Sequence, residues 1–218
     1  MIDVYLTRHG QTVWNVEVRM QGRGNSPLTE NGISGARALR DTIRTIPFTK
    51  CYTSPMPRAL HTALILIGDR SVPLDFEPAL AEMDLGCWEG MRAEDARTAY
   101  PEEFHNFKKQ PDLFVPVSGG ETFSDVVRRA GVFLKKLEEL PDNSGPVLAV
   151  THCILLQAIM MICDGRGPAT LRSGQEVDQT TLFHIRWDHG KWSVLARNEP
   201  TCYADILSRD DRYKRAFS

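Results

Sequence analysis

The strongest constraint on the fold is a pair of short apolar runs that end abruptly at polar residues. They are residues 2–7 (IDVYLT) and 147–151 (VLAVT). Continuous apolar runs of this length, rich in β-branched residues, are typical of strands that are buried on both faces of a parallel sheet. The sequence therefore predicts a central sheet that is covered on both sides by other layers.

Helical patterns alternate with strand candidates along the chain. The predicted helices span residues 29–45, 56–67, 122–140 and 153–164, and Thr29 or Asn31 can cap the first of them. Further strand candidates are 50–53, 72–76, 181–187 and 191–197, the last two flanking a hairpin turn at Asp188, His189 and Gly190. This order predicts a three-layer α/β fold with a mixed, mostly parallel central sheet flanked by helices.

The stretch 77–121 breaks the alternation. It is rich in Pro and Gly around two short predicted helices, 93–99 and 101–109. We expect a small helical insertion over the edge of the sheet that caps a substrate site. Since no repeat or interdomain linker is visible, the chain of 218 residues is expected to form one domain, 1–218.

Composition excludes several classes of partner. The net charge of −2 provides no global basic field for nucleic acid or acidic membranes, so any anion site must be local. The five cysteines form neither a CxxC metal motif nor a disulfide framework, which favours reduced thiols. The N-terminus has no signal-peptide pattern, and the longest apolar stretch is too short to span a bilayer. A cytoplasmic protein with no nucleic-acid and no membrane partner is expected.

Residues suited to phosphate chemistry follow or end the strand candidates. They are Arg8, His9, Ser54, Arg58, Glu82, Thr151 and His152. Because ligands of open α/β sheets bind beyond the carboxyl ends of the strands, these side chains should converge. Arginines bind phosphate oxygens in bidentate fashion, and an imidazole nitrogen can attack phosphorus. A single histidine after a strand is usually structural, but the joint pattern indicates a phosphate site.

The turn after the first strand (HGQTVWN) adds to this pattern. Its backbone N–H groups can cradle phosphate, with Gly10 allowing close approach and Asn15 supplying an amide donor. The pairs Lys108–Lys109 and Arg128–Arg129 are interpreted as solvated helix charge.

Several segments together resemble successive motifs of the histidine phosphatase superfamily, also called the phosphoglycerate-mutase-like family. They are LTRHGQTVWN, QGRGNSPLTENG, SPMPRALHTA, LAEMDLGCWEG, GGETFSDVVRR and VTHC. The resemblance covers nearly the whole chain, and the order and spacing make it specific, although RHG alone would be weak. The fold that it implies agrees with the predicted sheet.

The resemblance implies a role for each matching residue. His9 is the expected nucleophile, which carries a transient phosphoryl group, and Glu82 the general acid and base. Arg8, Arg58 and His152 are the expected ligands of the phosphoryl oxygens. Asn15 and Gln21 match further phosphate contacts.

Cys153 departs from the family, whose second histidine is usually followed by glycine. We expect this residue to begin the helix 153–164 beside the phosphate pocket. A thiol at a helix N-terminus near arginines can become a reactive thiolate. Alternatively, it fills a small buried gap as a compact apolar side chain.

Two other phosphatase chemistries do not fit the sequence. A cysteine nucleophile needs Arg at the sixth following position, which after Cys51, Cys153 and Cys163 holds Pro57, Ile159 and Ala169. The six histidines form no HxH or HExxH cluster, so no metal and no cofactor are expected.

The reaction class rests on the segment after Glu82. Within the family, mutases carry a longer insertion with extra basic residues that grip a substrate carboxylate. Here the segment offers Arg92 and Arg97, then a Pro-rich stretch, with no adjacent arginine pair before Gly119. We therefore expect a metal-independent phosphatase of a small phosphorylated metabolite. A phosphoglycerate-mutase-type phosphotransferase and a catalytically idle phosphate-binding module are the alternatives, and the organic part of the substrate and the oligomeric state are left open.

Overall fold

The computed structural model of the protein describes residues 1–142, 144–173 and 177–199. The strands are β1 (Ile2–Arg8), β2 (Lys50–Thr53), β3 (Leu74–Phe76), β4 (Val147–Thr151), β5 (Leu182–Asp188) and β6 (Lys191–Glu199). They form one six-stranded sheet with the order β3-β2-β4-β1-β5-β6. The first four strands are parallel, whereas β5 is antiparallel to both β1 and β6. The predicted mixed, mostly parallel sheet is confirmed.

Apart from the short helix Val13–Val16, which was not predicted from the sequence, the helices agree with the predicted ones to within a few residues. They are α1 (Val13–Val16), α2 (Glu30–Thr42), α3 (Pro57–Ile67), α4 (Ala93–Ala99), α5 (Pro101–Lys109), α6 (Phe123–Glu138) and α7 (Cys153–Cys163). Thr29 caps α2, because its Oγ1 accepts a hydrogen bond from the Gly32 N–H at 3.0 Å. Asn31 instead lies inside the first turn.

Several predicted boundaries differ from the observed ones by one to three residues. Helix α2 ends at Thr42 rather than at residue 45 and α6 at Glu138 rather than at residue 140, while β6 extends to Glu199 rather than to residue 197. Strand β3 begins at Leu74 rather than at residue 72, because Pro73 has no N–H to donate to the sheet.

Successive side chains of β4 pack alternately against the helices on either face of the sheet, which explains the three layers of the fold. Val147 and Ala149 belong to the cluster that includes α6 and α7, whereas Leu148 and Val150 belong to the cluster of α2 and α3. Successive side chains of a strand point to opposite faces, so one fully buried strand joins two separate apolar layers. This is the covered sheet that the apolar run predicts.

The insertion, residues 77–121, is tied to the main core by aromatic rings. The ring centroid of Trp88 lies 5.9, 5.6 and 5.6 Å from the ring centroids of Phe104, Phe107 and Phe114, respectively. Phe107 in turn lies 5.5 Å from Phe123, the first residue of α6. These five residues, here called the aromatic cluster, hold α5 and the loop of Trp88 against the domain. The predicted helices 93–99 and 101–109 are confirmed, and the role of the insertion as a substrate cap stays a prediction.

Two further sequence expectations concern membranes and thiols. No helix within the described ranges is long and apolar enough to cross a bilayer. The cysteines that the structure describes are all unpaired, namely Cys51, Cys87, Cys153 and Cys163, while Cys202 lies outside the described residues.

Trp88 should be a major source of stability, because it is only 1% exposed at the centre of the aromatic cluster. We expect Trp88→Ala to lower the free energy of unfolding by about 3–5 kcal/mol, through lost apolar burial and the cavity left behind. Urea denaturation followed by circular dichroism measures this. Val132→Ala, at a 57% exposed position of α6, is the control and should change the free energy by less than about 0.5 kcal/mol. A loss below about 1 kcal/mol in Trp88→Ala would contradict the role of the cluster.

Candidate active site

The strand ends bring the predicted side chains together. Arg8 ends β1 and His9 follows it, Arg58 lies in the first turn of α3 after β2, and His152 directly follows β4. Because β1, β4 and β2 are adjacent and parallel, their carboxyl ends meet at one edge of the sheet. The rings of His9 and His152 are 5.1 Å apart, and Arg58 contacts His9.

His9 is held as a neutral imidazole with a defined tautomer. Its Nδ1 lies 2.8 Å from the carbonyl oxygen of Gly10, and a carbonyl only accepts, so Nδ1 carries the proton. The Nε2 lone pair therefore faces the site and accepts a hydrogen bond from Arg58 Nε at 3.2 Å. Burial, together with the charges of Arg58 and Arg8, lowers the pKa of His9 well below its usual 6.5. A neutral imidazole with an unprotonated Nε2 is the form that can act as a nucleophile.

Arg58 organises the loop that precedes it in the sequence. Its Nη1 donates to the carbonyl oxygen of Gly24 at 2.5 Å, and its Nη2 donates to that of Gly22 at 2.7 Å. Burial lowers the pKa of Arg58 to about 10, so the side chain stays charged at neutral pH. Arg8 donates through Nη1 to the carbonyl oxygen of Val177 at 2.8 Å. Each guanidinium thus donates to at least one backbone carbonyl group.

Glu82 presents its carboxylate between two backbone donors. Oε1 accepts from its neighbour Met83 N–H at 3.0 Å, and Oε2 accepts from Ile154 N–H at 3.3 Å. Ile154 lies in the first turn of α7, directly beyond His152 and Cys153. The carboxyl group is therefore anchored next to the second histidine, and it is buried.

Arg129 holds the loop that carries Glu82. Its Nη1 donates to the carbonyl oxygens of Ala79 and Ala81 at 2.9 and 2.8 Å, and its Nη2 donates to that of Glu82 at 3.3 Å. The same guanidinium makes a bidentate pair with Glu121 at 2.7 and 2.8 Å. The interpretation of Arg129 as solvated charge was therefore wrong, since its side chain is only 13% exposed, whereas that of Arg128 is 68% exposed.

Glu121 links this loop to the loop held by Arg58. It accepts a hydrogen bond from the Asp84 N–H at 3.0 Å and lies 3.3 Å from a guanidinium nitrogen of Arg23. Burial opposes its ionisation, but hydrogen bonds from Arg129 and Asp84 and the charges of Arg129 and Arg23 outweigh that effect and lower the pKa of Glu121. It is therefore ionised at neutral pH.

His152 is fully buried beside Ser54. Its Nε2 lies 2.7 Å from Ser54 Oγ, and its Nδ1 has no hydrogen-bond partner within the ranges that the structure describes. Burial is the main cause that lowers its pKa well below 6.5, and the charge of Arg58 adds to it. His152 is therefore also neutral at physiological pH.

The further phosphate contacts that the sequence predicts, Asn15, Gln21 and the Gly10 N–H, differ in whether their polar atoms are already hydrogen-bonded within the protein. Asn15 Oδ1 accepts from the N–H and the Oγ1 of Thr12, both at 3.0 Å, which leaves its amide nitrogen as the donor for a ligand. Gln21 is buried, and its Oε1 has no partner within the described part of the chain. Gly10 N–H donates to Thr62 Oγ1 at 3.0 Å, so this donor is used within the protein and not offered as the predicted cradle.

Gly10 and Cys153 are placed by packing against their neighbours. A Cβ atom at Gly10 would lie 2.6 Å from the carbonyl oxygen of Gly32, so the glycine allows α2 to approach β1 closely. Cys153 begins α7 as predicted, is half-buried, and packs against the main hydrophobic cluster. Both interpretations of its thiol stay predictions.

The described residues contain no group of three or more His, Cys, Asp or Glu side chains that could hold a metal ion. The site instead concentrates two guanidiniums, two neutral imidazoles and one carboxyl group. This arrangement can bind a dianion, supply a nitrogen nucleophile and move one proton.

Comparison with known proteins places this site in a family. The probable phosphoglycerate mutase GpmB of Yersinia pestis is 29% identical over 97% of this chain and 99% of its own length. The structure of Bacillus stearothermophilus YhfR is 34% identical with a TM-score of 0.89, covering 94% of this chain and 100% of that one. The alpha-ribazole phosphatase from Shigella flexneri is 26% identical with a TM-score of 0.82, covering 90% and 96%.

The family model described as histidine phosphatase superfamily (branch 1) matches residues 4–200. That range includes the pocket formed by His9, Arg58, Glu82 and His152. The chain therefore belongs to branch 1 of the histidine phosphatase superfamily.

Proposed function

We propose that the protein is a phosphatase that hydrolyses small phosphate monoesters through a phosphohistidine on His9, without a metal ion. The observation that carries this proposal is the state of His9. Its proton is held on Nδ1 by Gly10, and its Nε2 lone pair faces a pocket with two buried arginines. Such a group is suited to attack a phosphorus atom whose oxygens the arginines neutralise.

The first half-reaction transfers the phosphoryl group to His9. The phosphoryl oxygens bind Arg8, Arg58 and His152, and Nε2 of His9 forms a bond to phosphorus as the bond to the ester oxygen breaks. Glu82, in its protonated form, gives its proton to the departing alkoxide. Since the protein makes few bonds in phosphoryl transfer, most of the rate should come from positioning and preorganised positive charge.

The second half-reaction releases phosphate. A water molecule attacks phosphorus and gives a proton to the Glu82 carboxylate, and the bond to Nε2 breaks with its electron pair returning to His9. Glu82 is then protonated again for the next substrate. The fixed position of its carboxyl group, anchored on Met83 N–H and Ile154 N–H, suits this double role.

The insertion supports a phosphatase over a mutase. Arg92 and Arg97, the two arginines of the insertion that follow Glu82, are both exposed to solvent. They do not form a buried basic site that could retain a bisphosphate intermediate. The names of the relatives include both a mutase and a phosphatase, so a mutase activity is the second candidate. Assays for phosphate release and for isomerisation of a phosphoglycerate separate the two.

Phosphoenzyme formation tests the proposal directly. With EDTA present, a ³²P-labelled monoester should transfer label to the wild type in an acid-labile, alkali-stable form, and His9→Ala should abolish the label. His189→Ala, at a histidine whose side chain is 93% exposed, should label normally. Label retained in His9→Ala, or activity that EDTA removes and a divalent ion restores, would overturn the assignment.

Glu82→Gln should discriminate between leaving groups. Phosphoenzyme formation from an alkyl phosphate should fall by roughly 10²- to 10⁴-fold, because the alkoxide needs a proton in order to leave. Formation from para-nitrophenyl phosphate should fall far less, since its leaving group is stable as an anion. Rapid-quench measurement isolates this step from the later hydrolysis. Equal losses for both substrates would remove Glu82 from the acid role.

The neutral histidines should also make stability depend on pH. The pKa values of His9 and His152 lie well below 6.5 because both are buried. Below pH 6.5 the unfolded chain takes up protons that the folded protein does not. As the pH is lowered through this range, the free energy of unfolding should therefore decrease by up to about 1.4 kcal/mol per pH unit for each histidine.

Urea denaturation between pH 7.5 and 5.5 measures this slope. His152→Gln should remove the contribution of one histidine to the slope of the free energy of unfolding against pH. The control His189→Gln, at an exposed site, should leave the slope unchanged. An unchanged slope in His152→Gln would mean that His152 is protonated normally in the folded protein.

A further inference from the structure

Ser54 has no role in the mechanism above, although it touches one of its residues. It follows β2 and is fully buried. Its Oγ lies 2.7 Å from Nε2 of His152 and 3.3 Å from the backbone nitrogen of Met56. The direction of the first of these hydrogen bonds decides which nitrogen of His152 carries the proton.

The hydrogen atoms around Ser54 can be assigned by counting donors. A serine hydroxyl has one hydrogen to donate and two lone pairs that accept. The backbone N–H of Met56 can only donate, so it uses a lone pair of Ser54 Oγ. Within the described residues, Nε2 of His152 is then the only acceptor in contact with the hydroxyl hydrogen. If Nε2 carried the proton instead, the buried hydroxyl would have no acceptor among the described residues, and an unsatisfied buried donor is destabilising.

The other nitrogen of His152 agrees with this assignment. When Nε2 accepts from Ser54, the single proton of the neutral ring lies on Nδ1. That atom is buried and has no partner within the part of the chain that the structure describes. An N–H group left without an acceptor beside His9 and two arginines is suited to an anionic oxygen. A bare Nδ1 lone pair in the same place would repel that oxygen.

We propose that Ser54 is a positioning residue that fixes His152 in the Nδ1–H tautomer, and that this Nδ1–H is the group through which His152 binds a phosphoryl oxygen. The second part rests on the proposed function. The two histidines then share one tautomer for opposite purposes. In His9 the Nδ1–H donates to the carbonyl oxygen of Gly10, so the unprotonated Nε2 faces the site. In His152 the Nε2 accepts from Ser54 Oγ, so the Nδ1–H faces the site.

Nitrogen NMR of the ¹⁵N-histidine-labelled protein reads the tautomer without any substrate. In the wild type, Nδ1 of His152 should give a protonated, pyrrole-type signal and Nε2 a pyridine-type signal, with His152→Gln providing the assignment. Inorganic phosphate should shift the Nδ1–H resonance. A protonated Nε2 in the resting wild type, or an Nδ1–H resonance that saturating phosphate does not move, would overturn the proposal.

Ser54→Ala tests the role of the hydroxyl, with Thr53→Val as the matched control. Thr53 is equally buried, and its hydroxyl donates only to a backbone carbonyl oxygen. In Ser54→Ala the Nδ1–H tautomer should lose its dominance, and phosphoenzyme formation should fall by roughly 10- to 100-fold, the scale of a lost donor to transition-state charge. Thr53→Val should keep the wild-type tautomer. Ser54→Ala with an unchanged His152 spectrum would contradict the proposal.

The outcomes of these experiments distinguish a positioning role of Ser54 from a purely structural role. They also distinguish failure of this inference from failure of the proposed function. The loss in Ser54→Ala should be equal for alkyl and para-nitrophenyl phosphates, because the donor acts on the phosphoryl group and not on the leaving group. A general loss of structure would lower the melting temperature and spread changes over all histidine signals. If no phosphoenzyme forms while the tautomer is as expected and phosphate still binds, the proposed function fails and the inference about Ser54 stands.

Discussion

The guanidinium of Arg58 is buried with no carboxylate in ion-pair contact within the described residues, and the site is built around that charge. An uncompensated buried cation is costly, and here carbonyl dipoles of Gly22 and Gly24 and the lone pair of His9 compensate for it. These partners stabilise the charge without neutralising it. The cation therefore remains available to a dianionic ligand, and the same hydrogen bonds fix the backbone around the ligand before it arrives.

Carboxylates stabilise the other side of the site. Glu121 and Glu89 accept hydrogen bonds from the backbone of the loop that carries Glu82, and each also contacts Arg23 in the loop held by Arg58. Arg129 adds three bonds to carbonyl oxygens on the same segment. The loop held by Arg58 and the loop that carries Glu82 are therefore joined directly. Their relative position does not depend on the sheet alone.

The sequence predicts the sheet well because its signals are local. Strands β1 and β4 are mostly apolar runs, whereas β2 (KCYT) gives a weaker signal, and Thr29 marks the start of α2 through its capping hydrogen bond. The five principal site residues are found because strand ends converge in any parallel sheet. The hydrogen bonds made by Arg129, Ser54 and the Gly10 N–H could not be predicted from local sequence signals. They depend on which face of a helix meets a distant loop and on how many acceptors a buried donor can reach.

The aromatic cluster has a consequence for how this protein can change over evolutionary time. Trp88 belongs to the same short loop as Glu82. Its ring contacts Phe104 and Phe107 of the insertion, and Phe107 in turn contacts Phe123 of α6. We expect mutations inside that cluster to disturb the loop that carries Glu82 and therefore to be selected against. Mutations on the solvent-facing surfaces of α4 and α5 leave the cluster intact. Descendants of this chain can therefore vary those surfaces by drift while they inherit an unaltered arrangement of the residues around His9 and Glu82.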